Sequence, residues 1–153
     1  MKKVYSLALI VILMTTGFAC KKDNDGPSSP ELTGYWELAQ AQGDIPTVNY
    51  PAGNGSLLVI KDNTYAYYGN GQLVKSGSYT TTEDNTAEQS TCLVTPEGQF
   101  TRRIVFDTAY SATKVFYQVE DDRLSLVSGC FATDGGQKII YRRVKPNGTF
   151  PLD

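Results

Sequence analysis

Histidine is absent from this chain of 153 residues. That one absence removes Ser-His-Asp and Cys-His catalysis, imidazole zinc sites and any imidazole proton shuttle. An excess of positive charge is missing too. Fourteen Lys and Arg stand against sixteen Asp and Glu, giving a net charge of −2, so the cationic face that a nucleic acid requires is not expected. Beyond Leu32 no window carries an apolar stripe at helical spacing, which argues against a bundle or an α/β domain. What is present suffices for a core: 41% of residues are apolar and 11% aromatic, well above the composition of disordered chains. The length sets one domain as the expectation.

The first twenty residues read as an address. Lys2 and Lys3 precede an uncharged run from Val4 to Ala19. A spanning helix needs about 20 apolar residues, so the shorter run predicts a secretory signal over residues 1–19. Thr16-Gly17-Phe18-Ala19-Cys20 resembles a bacterial lipobox. The resemblance implies that Cys20 is acylated, becomes the mature N-terminus and anchors the protein to a membrane. Acylation would also explain an otherwise unpaired cysteine in an oxidising compartment. Lys21-Lys22-Asp23-Asn24-Asp25 is similar to the charged export tag of Bacteroidetes lipoproteins, which implies an outer-membrane protein facing the periplasm or the cell surface. Gly26-Pro27-Ser28-Ser29-Pro30 has linker composition. The expected organisation is a signal over 1–19, a tether over 20–31 and a folded domain over 32–153.

That domain reads as a strand meander. Nine of ten tyrosines and fourteen of sixteen threonines follow Cys20, a composition suited to pleated, half-buried surfaces. Strands are predicted near Gly34–Ala41, Ser56–Lys61, Thr64–Tyr68, Gln72–Thr81, Ser90–Thr95, Gln99–Asp107, Lys114–Val119, Arg123–Ser128 and Gln137–Val144. Tight hairpins are expected at Lys61-Asp62-Asn63, Gly69-Asn70-Gly71, Pro96-Glu97-Gly98 and Glu120-Asp121-Asp122, where turn-forming residues cluster. No connection is long enough for a parallel crossover. Eight or nine antiparallel strands in sequence order favour closure into an all-β up-and-down barrel. Residues 42–54 and 83–89 are the loops expected over its mouth.

Gly34-Tyr35-Trp36 resembles the G-x-W motif that opens the first strand of lipocalins. Asn63-Thr64-Tyr65, Ser76-Gly77-Ser78-Tyr79, Arg123-Leu124-Ser125-Leu126 and Tyr141-Arg142-Arg143 follow in the order seen in lipocalin-like domains of bacterial lipoproteins. The resemblance implies that Trp36 plugs one barrel end under an arginine from the last strand, either Arg142 or Arg143. Alternation alone puts Trp36 on one face with Leu38, opposite Tyr35 and Glu37. Cys92 and Cys130 are expected to pair, since both lie in or beside predicted strands of an exported chain and are the thiols left once Cys20 is acylated.

Function in a small barrel belongs on the inner face. Alternation places Arg102 on the face of Ile104 and Phe106, and Tyr65 shares a face with Tyr67. Tyr79 and Tyr117 add phenols, and Leu73 is expected on the face of Tyr79. An apolar lumen with these phenols and one arginine would suit an amphipathic ligand with an acidic head. The competing expectation is a solid core, with Arg102 reaching out to the rim. Three classes of function follow: a ligand-binding envelope lipoprotein, an envelope interaction or inhibitor module with a filled interior, and an enzyme. The last would need carboxylates or a Ser/Lys pair converging in one cleft, and the sequence offers no such cluster. Ser111-Ala112-Thr113-Lys114 spells S-x-x-K, but on a strand its ends point opposite ways. Glu120-Asp121-Asp122 lacks the spacing of a calcium loop. Asp107-Thr108-Ala109 is similar to the O-glycosylation triplet of Bacteroidetes. No metal or cofactor is expected, and the protein should be a monomer.

Overall fold

Among the described residues nine strands join into one sheet, and eight of them close on themselves. The structure is a computed structural model and describes residues 31–43, 46–107 and 113–146. The expected signal, Cys20, the export tag and Thr108 of the glycosylation triplet lie outside the described residues. In chain order the strands are β1 (Gly34–Gln42), β2 (Val48–Asn49), β3 (Leu57–Lys61), β4 (Thr64–Gly69), β5 (Gln72–Glu83), β6 (Arg102–Phe106), β7 (Val115–Glu120), β8 (Arg123–Ser128) and β9 (Gln137–Val144). A short helix, α1 (Ala87–Thr91), falls between β5 and β6. From β3 to β9 each strand pairs antiparallel with the next. β1 then pairs with both β3 and β9, which closes the barrel. Two-residue β2 lies outside that ring, added to β1 at Gln40 and Ala41.

Three hairpins turn where turn chemistry predicts. Asp62, Asn70 and Asp121 all take left-handed backbone angles, the conformation that a tight hairpin demands and that Asn and Asp tolerate best. The fourth expected hairpin, at Pro96-Glu97-Gly98, is not one. Its neighbourhood corrects two expectations at once. Ser90–Thr95 is not a strand; Ala87–Thr91 is helical and ends at Cys92 in the left-handed region. Residues 84–101 leave the barrel and fold back over its outer wall. There Ala87 and Phe100 pack with Phe116 and Val127 in a second, smaller core. Phe116 and Val127 are cross-strand partners on β7 and β8, on the face opposite Tyr117 and Leu126. A disulfide between Cys92 and Cys130 clamps this flap, with Cα atoms 5.0 Å apart. Closing 38 residues in this way stabilises by about 3–4 kcal/mol on a chain-entropy estimate.

The other loop expected over the mouth also lies on the outer wall. Gly53 donates its N–H to Glu37 Oε1 at 2.8 Å, and Asn54 Nδ2 donates to Leu38 O at 2.8 Å. Glu37 faces outward, opposite Trp36, and Arg142 from β9 meets it at 3.4 Å. The main core fills the barrel itself, built from Leu32, Trp36, Leu58, Ile60, Tyr65, Tyr79, Ile104, Tyr117, Leu124, Leu126 and Tyr141.

Candidate functional site

One end of the barrel is sealed. Trp36 is 0% exposed and donates its indole N–H to Leu32 O at 2.7 Å. Arg143 covers the ring, its guanidinium carbon 4.1 Å from the centroid. The same guanidinium donates to Thr33 O and Glu31 O, each at 2.9 Å, so the stacked cation also fastens the chain leading into β1. Gly34 is what admits it, because a Cβ there would stand 2.7 Å from Arg143 Nη1. Of the two arginines left open by the sequence, Arg143 faces in and Arg142 faces out.

Among the described residues, the other end has no such plug. Leu38, Tyr67, Phe106, Val115 and Ile139, from β1, β4, β6, β7 and β9, all pack against the main core and face inward. Each is only half-buried, as is Val119 at the Trp36 end, while Tyr65, Ile104 and Leu126 between them are buried. An inward side chain in a closed barrel meets solvent through the lumen or its mouth. These five therefore ring an apolar vestibule at the end away from Trp36.

A polar cluster stands at its rim. Tyr65 donates its phenol to Asp107 Oδ2 at 2.6 Å, and Lys75 Nζ lies 2.7 Å from the same oxygen. The Lys75 ammonium also sits 5.6 Å from the Tyr65 ring centre. Tyr65 meets Phe106 edge-on at 4.7 Å and Tyr67 at 5.5 Å. Gly77 makes the cluster possible: a Cβ at that position would fall 1.7 Å from Asp107 Oδ1. The Lys75 side chain is 57% exposed and that of Asp107 31%, which puts the pair at the water's edge.

Burial keeps the phenols neutral. It pushes Tyr67 up to about 12, with the Tyr65 phenol adding to the effect. Tyr141, which hydrogen-bonds Tyr67, is raised further, again chiefly by burial. Tyr65 is raised by burial and by its bond to Asp107. The Lys75 ammonium holds Asp107 below its usual range, with the Tyr65 bond helping. Asp107 and then Tyr65 raise Lys75 in turn. At neutral pH the rim pair is ionised on both sides and locally neutral.

The six residues expected to line a ligand site therefore divide. Tyr65, Tyr67 and Phe106 come together at the mouth. Tyr79 and Tyr117 belong to the sealed half, where Tyr79 donates to Asp62 O at 2.8 Å and the Tyr117 phenol stands 3.4 Å from Glu31 Oε1. Arg102 corrects the idea of a guanidinium inside the lumen: it reaches out to the rim at the Trp36 end and pairs with Glu31 there. Its charge is reinforced by the Tyr117 phenol and Glu31 beside it. Leu73 also departs from expectation. A bulge where Tyr67 pairs with Lys75 and Tyr68 with Leu73 leaves Val74 as an extra residue. Leu73 thereby moves to the face of Tyr68, and both Leu73 and Val74 are exposed.

Sequence reasoning passed over Lys75 and Asp107. Alternation carries a signal for Lys75, since residues 75, 77 and 79 share a face. Asp107 gave none: it follows β6 with a left-handed φ of 60°, and that turn swings its carboxylate onto Gly77. No group of three or more His, Cys, Asp or Glu residues that could hold a metal occurs among the described residues. No protein-family model, curated protein or solved structure matches the chain.

Proposed function

We propose that this chain is a cell-envelope lipoprotein, anchored in the outer membrane through Cys20, whose lipocalin-like barrel binds a small apolar or amphipathic molecule. The observation that carries the reading is the contrast between the two barrel ends. Trp36 and Arg143 close one, while half-buried Leu38, Tyr67, Phe106, Val115 and Ile139 ring the other. Partly exposed apolar side chains facing inward are what a small apolar ligand buries at a gain of about 25 cal/mol per Å². The protein acts by binding, with no chemical step and no cofactor. Native mass spectrometry of protein from its own host should find a bound lipid-like molecule. Val115→Phe, which fills the vestibule from β7, should empty it while leaving the fold intact. A barrel that carries nothing from its host, and takes up no alkyl probe, would overturn the reading.

A second reading, an envelope interaction module, rests on different residues. Val94 is 96% exposed on the flap that Cys92–Cys130 clamps, and Thr95 N–H is tied to Glu88 Oε1 at 3.2 Å. A preorganised apolar tip loses little entropy on docking into a partner. Val94→Asp would abolish capture of a protein partner on this reading and leave lipid binding unchanged on the first.

A further inference from the structure

We infer that the vestibule selects a ligand with an uncharged, hydroxyl-bearing headgroup, seated on the Lys75–Asp107 pair with its alkyl chain among Leu38, Phe106 and Ile139. This inference rests on the ligand-binding reading and names the ligand class for the same site. An acidic head would need a cation free to answer it, because a buried or half-buried charge is stable only when paired. Each described cation on the inner face already has an anionic partner. Lys75 meets Asp107 at 2.7 Å, Arg102 pairs with Glu31, and Arg143, spent on Trp36, also faces Asp122 at 3.6 Å.

A locally neutral pair offers something else. An ammonium has three donors and a carboxylate about four acceptor sites, so the pair retains capacity in both senses beyond its own bond and those to Tyr65. A hydroxyl both donates and accepts, and adjacent hydroxyls match a donor set beside an acceptor. Tyr65 pins the carboxylate from below at 2.6 Å. Gly77 fixes where it sits, so the rim is held ready before any ligand arrives. The chain itself must be short. Tyr65, Tyr79 and Leu126 beneath the vestibule are buried to within a few per cent, and an eight-stranded barrel is only wide enough for its own side chains at that depth.

The test compares three probes that share an eight-carbon chain: octyl glucoside below its micelle concentration, octanoate and octylamine. Binding to the full mature protein is followed by titration with amide chemical shifts as the readout. Octyl glucoside should bind at least tenfold tighter than either charged probe. Asp107→Asn leaves the ammonium unanswered and should turn the preference toward octanoate. Lys75→Gln leaves the carboxylate unanswered and should turn it toward octylamine. Octanoate binding the unaltered protein as well as the glucoside does, or single variants that leave the order unchanged, would overturn the headgroup inference. Three probes binding equally would overturn it too, and would leave apolar binding standing. If none binds, the ligand-binding reading falls, and this inference falls with it.

Discussion

Gly34 and Arg143 illustrate how single residues set this barrel's polarity. With no side chain at 34, the guanidinium lies flat on Trp36 and its N–H groups reach the carbonyls of Glu31 and Thr33. Any larger residue would have to displace the arginine or distort the start of β1. Trp36 is the protein's one tryptophan, so its fluorescence reports on this site alone. Emission should be blue-shifted and resist iodide in the folded protein. Arg143→Ala should open the ring to quencher, whereas Arg142→Ala should leave it shielded, because Arg142 lies on the outer wall with Glu37. Equal quenching in the two variants would contradict the assignment. Trp36→Ala should cost about 3–5 kcal/mol, a large share of what a small domain has. The inward turn of Trp36 was legible from alternation with Leu38. The choice between adjacent arginines was not, since it depends on the register of β1 against β9, where Trp36 pairs with Arg143.

At the scale of elements, the flap between β5 and β6 is where sequence patterning failed. Ser90–Thr95 has strand-like composition, but Ala87-Glu88-Gln89 favours helix and Asp84 starts the turn. Asp84 Oδ1 accepts from Thr86 N at 3.0 Å and from its hydroxyl at 2.5 Å, a local bond that competes with any ladder. Tertiary contacts then decide the matter, because the outward Phe116 and Val127 need a cover and α1 supplies it. Asp84 also answers Lys114 at 2.9 Å and Arg103 at 3.8 Å. Burial alone would raise its carboxyl, but the bonds from Thr86 and Lys114 outweigh it and hold Asp84 down at about 2. A carboxylate depressed in the folded state stabilises above its unfolded value near 3.9 and loses that contribution as pH falls through about 2. Denaturant midpoints measured from pH 5 to pH 2 should therefore fall more steeply in the native protein than in Asp84→Asn. The difference should be on the order of 1–2 kcal/mol after allowance for screening at this edge. Parallel profiles would mean that the flap is held by its apolar core and disulfide alone. The hairpins were legible because Asp62, Asn70 and Asp121 announce their own geometry. The bulge at Val74 was not, since an extra residue leaves no mark on composition.

For the whole molecule, strand order and closure were readable from short connections alone, and the eight-stranded ring follows from them. What lies over the ring was not readable, because whether a loop caps a mouth or lies along a wall depends on partners far apart in sequence. Glu37 with Gly53 and Phe116 with Phe100 are such partners. Lipid attachment at Cys20 is tested by Cys20→Ala, which should move the protein from the membrane fraction to the soluble one; unchanged partitioning would refute the anchor. The proposed anchor would give the sealed end a mechanical meaning. Glu31 lies beside Trp36 and Arg143, and the eleven residues from Cys20 to Pro30 reach at most about 40 Å when fully drawn out. A barrel leashed by its floor would be free to hold its rim toward the aqueous side, like a cup on a cord. Cargo would then arrive from passing carriers or dispersed monomers, and the leash would fix how far from the membrane the exchange takes place.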